Sequence, residues 1–294
     1  MTDGALLLDK PLGLSSNAAL QRAKKLLGAR KAGHAGTLDP LASGLLIVLL
    51  GEATKFAGLL LDQDKEYLAG LKLGEKTSTG DAEGEVLERK AVAVDQPQVE
   101  SVLARFRGEI EQVPPMHSAL KRDGVPLYKL ARQGMEVERE RRRVRIREIE
   151  LLKQETDLLE IRVVCSKGTY IRVLAEDIGA ALGTCAHLGA LRRTASGGFR
   201  IDDAIGLDAL EALEPRARSA RLLPLAALLA DLPRVDLAAE AAQRLRNGQT
   251  LKISGLQDGL VAAYQEGGGL IGLGRADAGV LRALRLTQAA DLHR

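Results

Sequence analysis

Apolar positions near the N-terminus fall into short unbroken runs. ALLLDK (5–10) and LLIVLLG (45–51) each read as a buried strand bounded by charge or glycine. Between them the period changes. Ser15 or Ser16 can cap a helix running to Leu27, with Leu20, Ala23, Leu26 and Leu27 on one face. Arg22, Lys24 and Lys25 lie away from that face, and Gly28 supplies the stop. Residues 29–40 read as loop and EATKFAGLLLD (52–62) as a short helix. YLAGLKLG (67–74) alternates as a strand does. QPQVESVLARFRGEI (96–110) places Pro97 in a first turn, with Val99, Val102, Leu103 and Phe106 at helical spacing. Asp-Gly in KRDGVPLY marks a hairpin. RRVRIREIELL and DLLEIRVVCS read as two longer strands. IRVLAEDIGAAL is a helix with Ile171, Leu174, Ala175, Ile178 and Leu182 on one side. Strands and helices mix without regular βαβ alternation, which predicts an α+β fold with a mixed, largely antiparallel sheet flanked by helices.

The pattern shifts after about residue 205. An Ala/Leu-rich helical stretch is broken by Pro215 and Pro224, and a helix from Leu237 ends at Asn247-Gly248. Four short strands follow: LKI, LVAAYQ, LIGLGRA and LRALRL. A unit of roughly 60 residues holds only a small core, so a compact β-barrel is expected. The expected division is therefore 1–230 and 231–294.

Bulk composition narrows the function. Of 294 residues, 46% are hydrophobic and 28% charged, ordinary values for a globular protein. No apolar run is long enough to span a bilayer, so no membrane association is expected. The N-terminus lacks a basic region followed by a cleavable apolar core, and Cys165 and Cys185 are the only thiols. Both features predict a cytoplasmic protein without a disulfide framework. The net charge is only +3, but its distribution is uneven. Arg22, Lys24, Lys25, Arg30 and Lys31 form one basic cluster, and Arg139, Arg141, Arg142, Arg143, Arg145 and Arg147 form another. Basic patches on a nearly neutral chain suit a polyanion, although Glu138, Glu140 and Glu148 interleave the second. Aromatic residues make up 2%, so the position of each tyrosine is informative.

Several cofactor motifs fail. GGGLIG (267–272) has dinucleotide-loop spacing but is followed by a strand where a helix is needed. LKLGEKTST lacks the Gly-Lys-Ser/Thr order of a phosphate loop. Cys185 and His187 have no further ligand pair for a metal, and neither the zinc-deaminase signature nor a G-x-S-x-G elbow occurs. Chemistry without metal or cofactor is what remains.

The segment GHAGTLDPLASG (33–44) sets one carboxylate, Asp39, among glycines and small residues, with His34 five positions before it. Taken alone, Leu-Asp-Pro is an ordinary turn signal. Tyr67 follows Glu66 at the start of a strand, and Tyr170 lies in SKGTYIR two residues before Arg172. Two of the four tyrosines thus sit at strand or turn edges beside charge.

LLLDKPLGLSS, AGHAGTLDPLASGLL, GEATKF, DKEY, PPMHSALK, LYKLARQG, CSKGTYIRVLAEDIG and HLGALRR, in this order from residue 4 to about 200, resemble the TruB-type tRNA pseudouridine synthases. The C-terminal strands resemble, by position and pattern, the PUA-like RNA-binding barrel of such enzymes. The resemblance implies the pseudouridine synthase fold and isomerisation of uridine 55 in the tRNA T-loop without a cofactor. It implies Asp39, Tyr67 and Arg172 as catalytic residues: the acid, the tyrosine stacked on the base, and the arginine paired with the acid. Tyr170 and Leu191 would line the base pocket, and His34 would wedge into the T-loop. Lys24, Lys25, Arg30, Lys31, Arg142 and Arg143 are candidates for phosphate contacts. Tyr128 is a further stacking candidate. The partner implied is tRNA, bound through its T-arm by a monomer. A competing reading is a non-catalytic RNA chaperone that grips the tRNA elbow; the complete Asp39, Tyr67 and Arg172 set argues against it.

Overall fold

The structure, a computed structural model, describes residues 2–118, 120–122, 124–131 and 133–288, with the side chains of Lys121, Pro126 and Tyr128 outside the description. The strands of the first half are β1 (Gly4–Lys10), β2 (Ala32–Ala35), β3 (Ala42–Leu50), β4 (Lys65–Leu73), β5 (Glu75–Thr77), β6 (Val86–Arg89), β7 (Gly108–Gln112), β8 (Lys121–Arg122) and β9 (Val125–Pro126). They are followed by β10 (Arg142–Gln154), β11 (Leu158–Cys165), β12 (Ala186–Ser196), β13 (Phe199–Arg200) and β14 (Ile205–Gly206). The helices are α1 (Ser16–Leu26), α2 (Ala57–Leu61), α3 (Gln96–Arg105), α4 (Leu127–Ala131), α5 (Ile171–Ala181), α6 (Leu207–Ala212), α7 (Pro215–Ala220) and α8 (Ala239–Arg246). β15 (Arg234–Leu237), β16 (Leu251–Lys252), β17 (Gly259–Gln265), β18 (Leu270–Asp277) and β19 (Val280–Leu286) complete the chain.

Ten strands form one sheet in the order β14-β1-β3-β12-β4-β11-β10-β7, with β2 added on β3 and β13 on β12. Only β1–β14 and β3–β12 pair in parallel, so the sheet is mixed and largely antiparallel as expected. Its two halves are covered differently, and the sequence shows why. In β1 and β3, Ala5, Leu7, Leu45, Ile47 and Leu49 face one apolar cluster and Leu6, Leu8, Leu46, Val48 and Leu50 face another. Both faces are buried, so these strands read as unbroken apolar runs. In β4, β10 and β11 only one face is buried, against α3 and α5 through Ile146, Ile149, Ile161, Val163, Leu174 and Ile178. The other face carries a charge lattice in which Arg162 meets Glu66, Glu148 and Glu150. The alternation of RRVRIREIE follows from that one-sided burial.

Local signals fix the helix ends. Ser15 accepts the Ala18 N–H at 3.1 Å and opens α1. Asp95 and Gln98 form a reciprocal capping box on α3.

Several expectations are corrected. Residues 29–40 are not all loop: Ala32–Ala35 pair with β3, and this edge strand comes from backbone hydrogen bonding that the pattern AGHA does not announce. The helix over 96–110 ends at Arg105, and Gly108, at φ +98°, turns the chain into β7. EATKF winds as a 3-10 turn before α2 begins. HLGALRR, to which the pattern assigns no element, lies on β12, the strand that joins the two halves of the sheet. Leu237 ends β15, and the helix begins at Ala239.

The C-terminal sheet runs β15-β17-β18-β19-β16, with α8 packed on its inner face through Ala242 and Leu245. Its end strands do not pair with each other, so it is a half-barrel open at β15 and β16. Ala262, Leu270 and Leu273 on its other face share a core with Leu225, Leu228 and Leu229 and with β1 and β3. Lys55 Nζ donates to the Leu286 carbonyl at 2.9 Å across the same junction. Among the described residues, no helix is long and apolar enough to cross a membrane.

Candidate active site

The segment after β2 is held from below and from the side. Leu38 is buried, and its backbone N–H and carbonyl both bond to Ser16 Oγ, at 2.7 and 2.9 Å. The Pro40 carbonyl accepts the Gly13 N–H at 2.8 Å. Two glycines are demanded by Arg193 on β12. A Cβ on Gly36 would lie 3.2 Å from the guanidinium, and one on Gly44 would lie 2.3 Å from the Arg193 carbonyl oxygen. Both have positive φ, +93° and +101°. The close approach pins the loop so that Asp39 faces a cavity of about 580 Å³.

Asp39, Tyr67, Tyr170, Arg172 and Leu191 all line this cavity, together with Lys65, Ser118, Lys167 and Arg193. Asp39 comes from the loop before β3, Tyr67 from β4, Leu191 and Arg193 from β12, and Tyr170 and Arg172 from the start of α5. The volume is in the range of small-molecule sites. Asp39 sits at its rim with 49% of its side chain exposed, more open than a fully enclosed acid.

Arg172 is buried and meets four oxygens. Its guanidinium lies 2.9 Å from Asp39 Oδ2 and 3.5 Å from Asp81 Oδ2, and it donates to the carbonyls of Thr79 and His117 at 3.2 and 2.6 Å. Asp81 is itself buried and also accepts the Glu83 N–H at 3.1 Å. The two carboxylates and two carbonyls fix the guanidinium in place beside Asp39.

Tyr170 precedes α5, whose cap has no side-chain hydrogen bond of its own. Gln112, buried at the end of β7, accepts the Tyr170 N–H at 3.0 Å and donates to the Tyr170 carbonyl at 3.2 Å. This two-point clasp fixes the turn that delivers both Tyr170 and Arg172. Burial pushes the Tyr170 phenol above its ordinary pKa, opposed by Ser118 and by the charges of Arg142 and Arg172. Tyr67 pairs across the sheet with Val163 on one side and Arg193 on the other. Burial raises its phenol too, against the opposing charge and hydrogen bond of Arg193. Both phenols are therefore neutral at ordinary pH. Leu191 is partly buried against the main core, one edge in the cavity.

Two lysines lie beneath the site. Lys65 Nζ donates to the carbonyls of Leu60, Leu61 and Gln63, and Lys10 Nζ to those of Pro11 and Leu14. Burial lowers each to about 8; the Arg193 charge adds to the shift, and carboxylates oppose it, Asp39 for Lys10 and Asp62 and Asp64 for Lys65.

His34 is not among the cavity-lining residues. It lies on β2 opposite Val48, half-buried, with Nδ1 unpartnered among the described residues. Burial, then the Arg193 charge, lowers its pKa, so the ring is neutral at pH 7. Lys24 and Lys25 are on α1, and Arg30 and Lys31 lie just before β2; all are outside the cavity wall. Arg142 and Arg143 are exposed on β10. Arg143 lies 3.8 Å from Glu111, while Arg142 is near enough for its charge to act on Tyr170. The Tyr128 side chain lies outside the described residues.

Sequence reading missed Asp81, Gln112, Lys65 and Arg193. Asp81 looks like part of a polar turn and Gln112 like the end of a charged strand. Arg193 carried a usable signal: in LRR on a two-period strand, one of two adjacent arginines must point inward.

The arrangement defines an acid-arginine site on the wall of a cavity, built on a mixed sheet with a second small sheet attached. The TruB N-terminal pseudouridylate synthase family matches residues 24–171, the tRNA pseudouridylate synthase B C-terminal domain residues 172–231, and the TruB pseudouridine synthase II C-terminal family residues 233–287. The tRNA pseudouridine synthase B of Dechloromonas aromatica (strain RCB) is 54% identical over 290 residues, covering 98% of this chain and 97% of that protein. The protein of the same name from Burkholderia pseudomallei (strain K96243) is 55% identical over 291 residues, 97% of this chain and 94% of that one. A solved Cbf5-Nop10-Gar1 complex contains a chain 29% identical with a TM-score of 0.73, covering all of this chain and 82% of that one. A chain in an H/ACA RNP bound to a substrate RNA containing 2′-deoxyuridine is also 29% identical, with a TM-score of 0.71 over all of this chain and 81% of that one. The chain belongs to the TruB family of pseudouridine synthases.

Proposed function

We propose that the cavity beside Asp39 takes the flipped uridine 55 of the tRNA T-loop and returns it as pseudouridine. The enzyme isomerises uridine in tRNA, and one observation carries the assignment of its centre: a carboxylate 2.9 Å from a buried arginine, on the wall of a cavity also lined by Tyr67, Tyr170 and Leu191. A base must leave its stack before its glycosidic bond can be reached, at a cost of a few kcal/mol. A single ionised carboxylate suffices, because the base leaves and returns and no water is activated. Asp39 either attacks C1′ or removes the 2′ proton. The entering base would cover the half-exposed acid and exclude water, whose attack would leave an abasic site.

Tyr67 stacks on the uracil and takes part in removing the C5 proton. Tyr170 and Leu191 hold its other face and edge. His34, neutral and on the strand leading into the Asp39 loop, fills the T-loop where the base came out. The basic residues of α1 and β10 contact phosphates and set register, and recognition is mainly of loop shape. The C-terminal sheet with its helix, within residues 231–288, is the PUA-like unit that adds RNA-binding surface. The protein works as a cytoplasmic monomer.

The product has the mass of the substrate, so turnover is read with tRNA tritiated at uracil C5. The wild-type protein should release tritium to water. Asp39→Asn should bind the tRNA within a few-fold and release none; release near the wild-type rate would remove Asp39 from the chemistry. Tight binding without release by the wild type would favour the chaperone reading.

A further inference from the structure

Arg193 is 1% exposed, yet no carboxylate pairs with it among the described residues. Its Nε donates to the Leu45 carbonyl at 2.7 Å and Nη2 to the Gly36 carbonyl at 3.0 Å. Those bonds hold the group but leave its charge uncompensated. The contrast with Arg172 is direct, since that guanidinium has two carboxylates. Arg193 lines the cavity, opposite Tyr67 in the β4–β12 register and across the pocket wall from Lys65. Lys10 and Lys65, equally buried, spend their ammonium protons on backbone carbonyls. The cavity wall therefore carries, in Arg193, a buried guanidinium that no carboxylate pairs with among the described residues. A buried unpaired cation is costly, and a fold keeps one where an anion arrives.

The structure assigns to Arg193 a catalytic role of its own: its guanidinium stabilises the uracil anion while the base is detached. This rests on the function proposed above. When the C1′–N1 bond breaks, its electron pair leaves with the base, whose charge is shared by N1 and the ring oxygens. C1′ takes a new bond from the Asp39 carboxylate, or the sugar loses its 2′ proton to that carboxylate. On return, ring electrons form the C5–C1′ bond and the carboxylate regains its pair or gives back the 2′ proton. N1 gains a proton, and C5 loses one. Negative charge on the base exists only between these events, so a cation aimed at it favours the intermediate over the bound substrate.

The test compares T-arm hairpins carrying uridine or 5-fluorouridine at the target position. Fluorine stabilises the departing anion, so this base needs less help. Single-turnover loss of the N-glycoside is followed by nucleoside analysis for wild type, Arg193→Gln and Arg193→Lys. Arg193→Gln should slow uridine about a hundredfold and 5-fluorouridine at least tenfold less. Arg193→Lys should keep the wild-type ratio of the two rates. Equal slowing of both bases by Arg193→Gln would reduce Arg193 to a structural support and overturn the assignment.

A second measurement uses the wild-type protein and so does not depend on the variants folding. A hairpin with 6-azauridine at the target position, whose ring proton dissociates near neutrality, is titrated from about pH 6 to about pH 7.5, where ordinary carboxylates and guanidiniums keep their charge. Affinity should rise several-fold with pH relative to the uridine hairpin; affinity that is flat or falls would refute the role. Lys10 and Lys65 begin to lose charge at the top of this window and would work against the rise. Burial and the Arg193 charge lower His34, which lies outside the cavity wall, and Asp39 and Arg172 face the same cavity. If wild type converts neither hairpin, the proposed function fails first, and that result is distinct from unequal or equal slowing.

Discussion

Removing the Arg172 guanidinium should cost far more stability than removing the acid it serves. Arg172 and Asp81 have side chains only 8% and 5% exposed, whereas Asp39 is 49% exposed. Arg172→Met leaves the Asp81 carboxyl buried without its guanidinium partner, and frees the Thr79 and His117 carbonyls. Breaking such a buried pair from one side typically costs about 3–5 kcal/mol. Asp39→Asn breaks only a half-exposed pair and should cost about 0–1 kcal/mol. The double variant Arg172→Met/Asp81→Leu removes the orphaned carboxyl and should recover about half of the loss. Urea unfolding of the four proteins at neutral pH reads these differences directly, provided the slopes agree. An Arg172→Met cost below about 1 kcal/mol, or a double variant no better than the single, would refute the view that Asp81 anchors the arginine.

Gly44→Ala should lose at least about 2 kcal/mol by the same assay, because its Cβ would meet the Arg193 backbone at 2.3 Å with φ at +101°. Ser16→Ala frees both Leu38 bonds; it should lower the single-turnover rate more than tRNA affinity and cost about 1–3 kcal/mol. Lys65 is held at about 8, below its unfolded value, so the folded state binds fewer protons above that pH and stability rises as pH increases. Its contribution between about pH 8 and 9.5 is on the order of 2 kcal/mol, and a denaturation series should show it in wild type and lose it in Lys65→Met. Arg275 and Arg282 face each other across β18–β19, exposed and without ion-pair partners among the described residues. Changing both to glutamate should weaken tRNA binding at least tenfold, flatten its salt dependence and spare the rate of bound substrate.

The buried strands, the main helices and the grouping of Asp39, Tyr67, Tyr170, Arg172 and Leu191 around one cavity could be read from the chain because each depends on local pattern or a compact motif. LLIVLL declares two-sided burial, Gly28 a helix stop, and GTLDP with KGTYIR a particular chemistry. What stayed hidden depends on distant partners. AGHA becomes β2 only because β3 offers a free edge, and β12 shows its importance only when it binds β3 and β4 together. Gln112 and Asp81 look like surface residues until Tyr170 and Arg172 arrive from later in the chain. His34 could be singled out by its place in the motif, but not its position on β2 outside the cavity wall.

The apolar seam between the two sheets carries a consequence for biosynthesis. One face of β1 and β3 is roofed by Leu225, Leu228, Leu229 and Leu273, and Ala5 bridges to Leu223. A ribosome makes the first strand long before it makes that roof. Until the last stretch emerges, the nascent chain presents Leu45, Ile47 and Leu49 without their final cover. Such surface invites chaperones or self-association, and a prematurely stopped translation product would keep it bare and become a target for proteolysis.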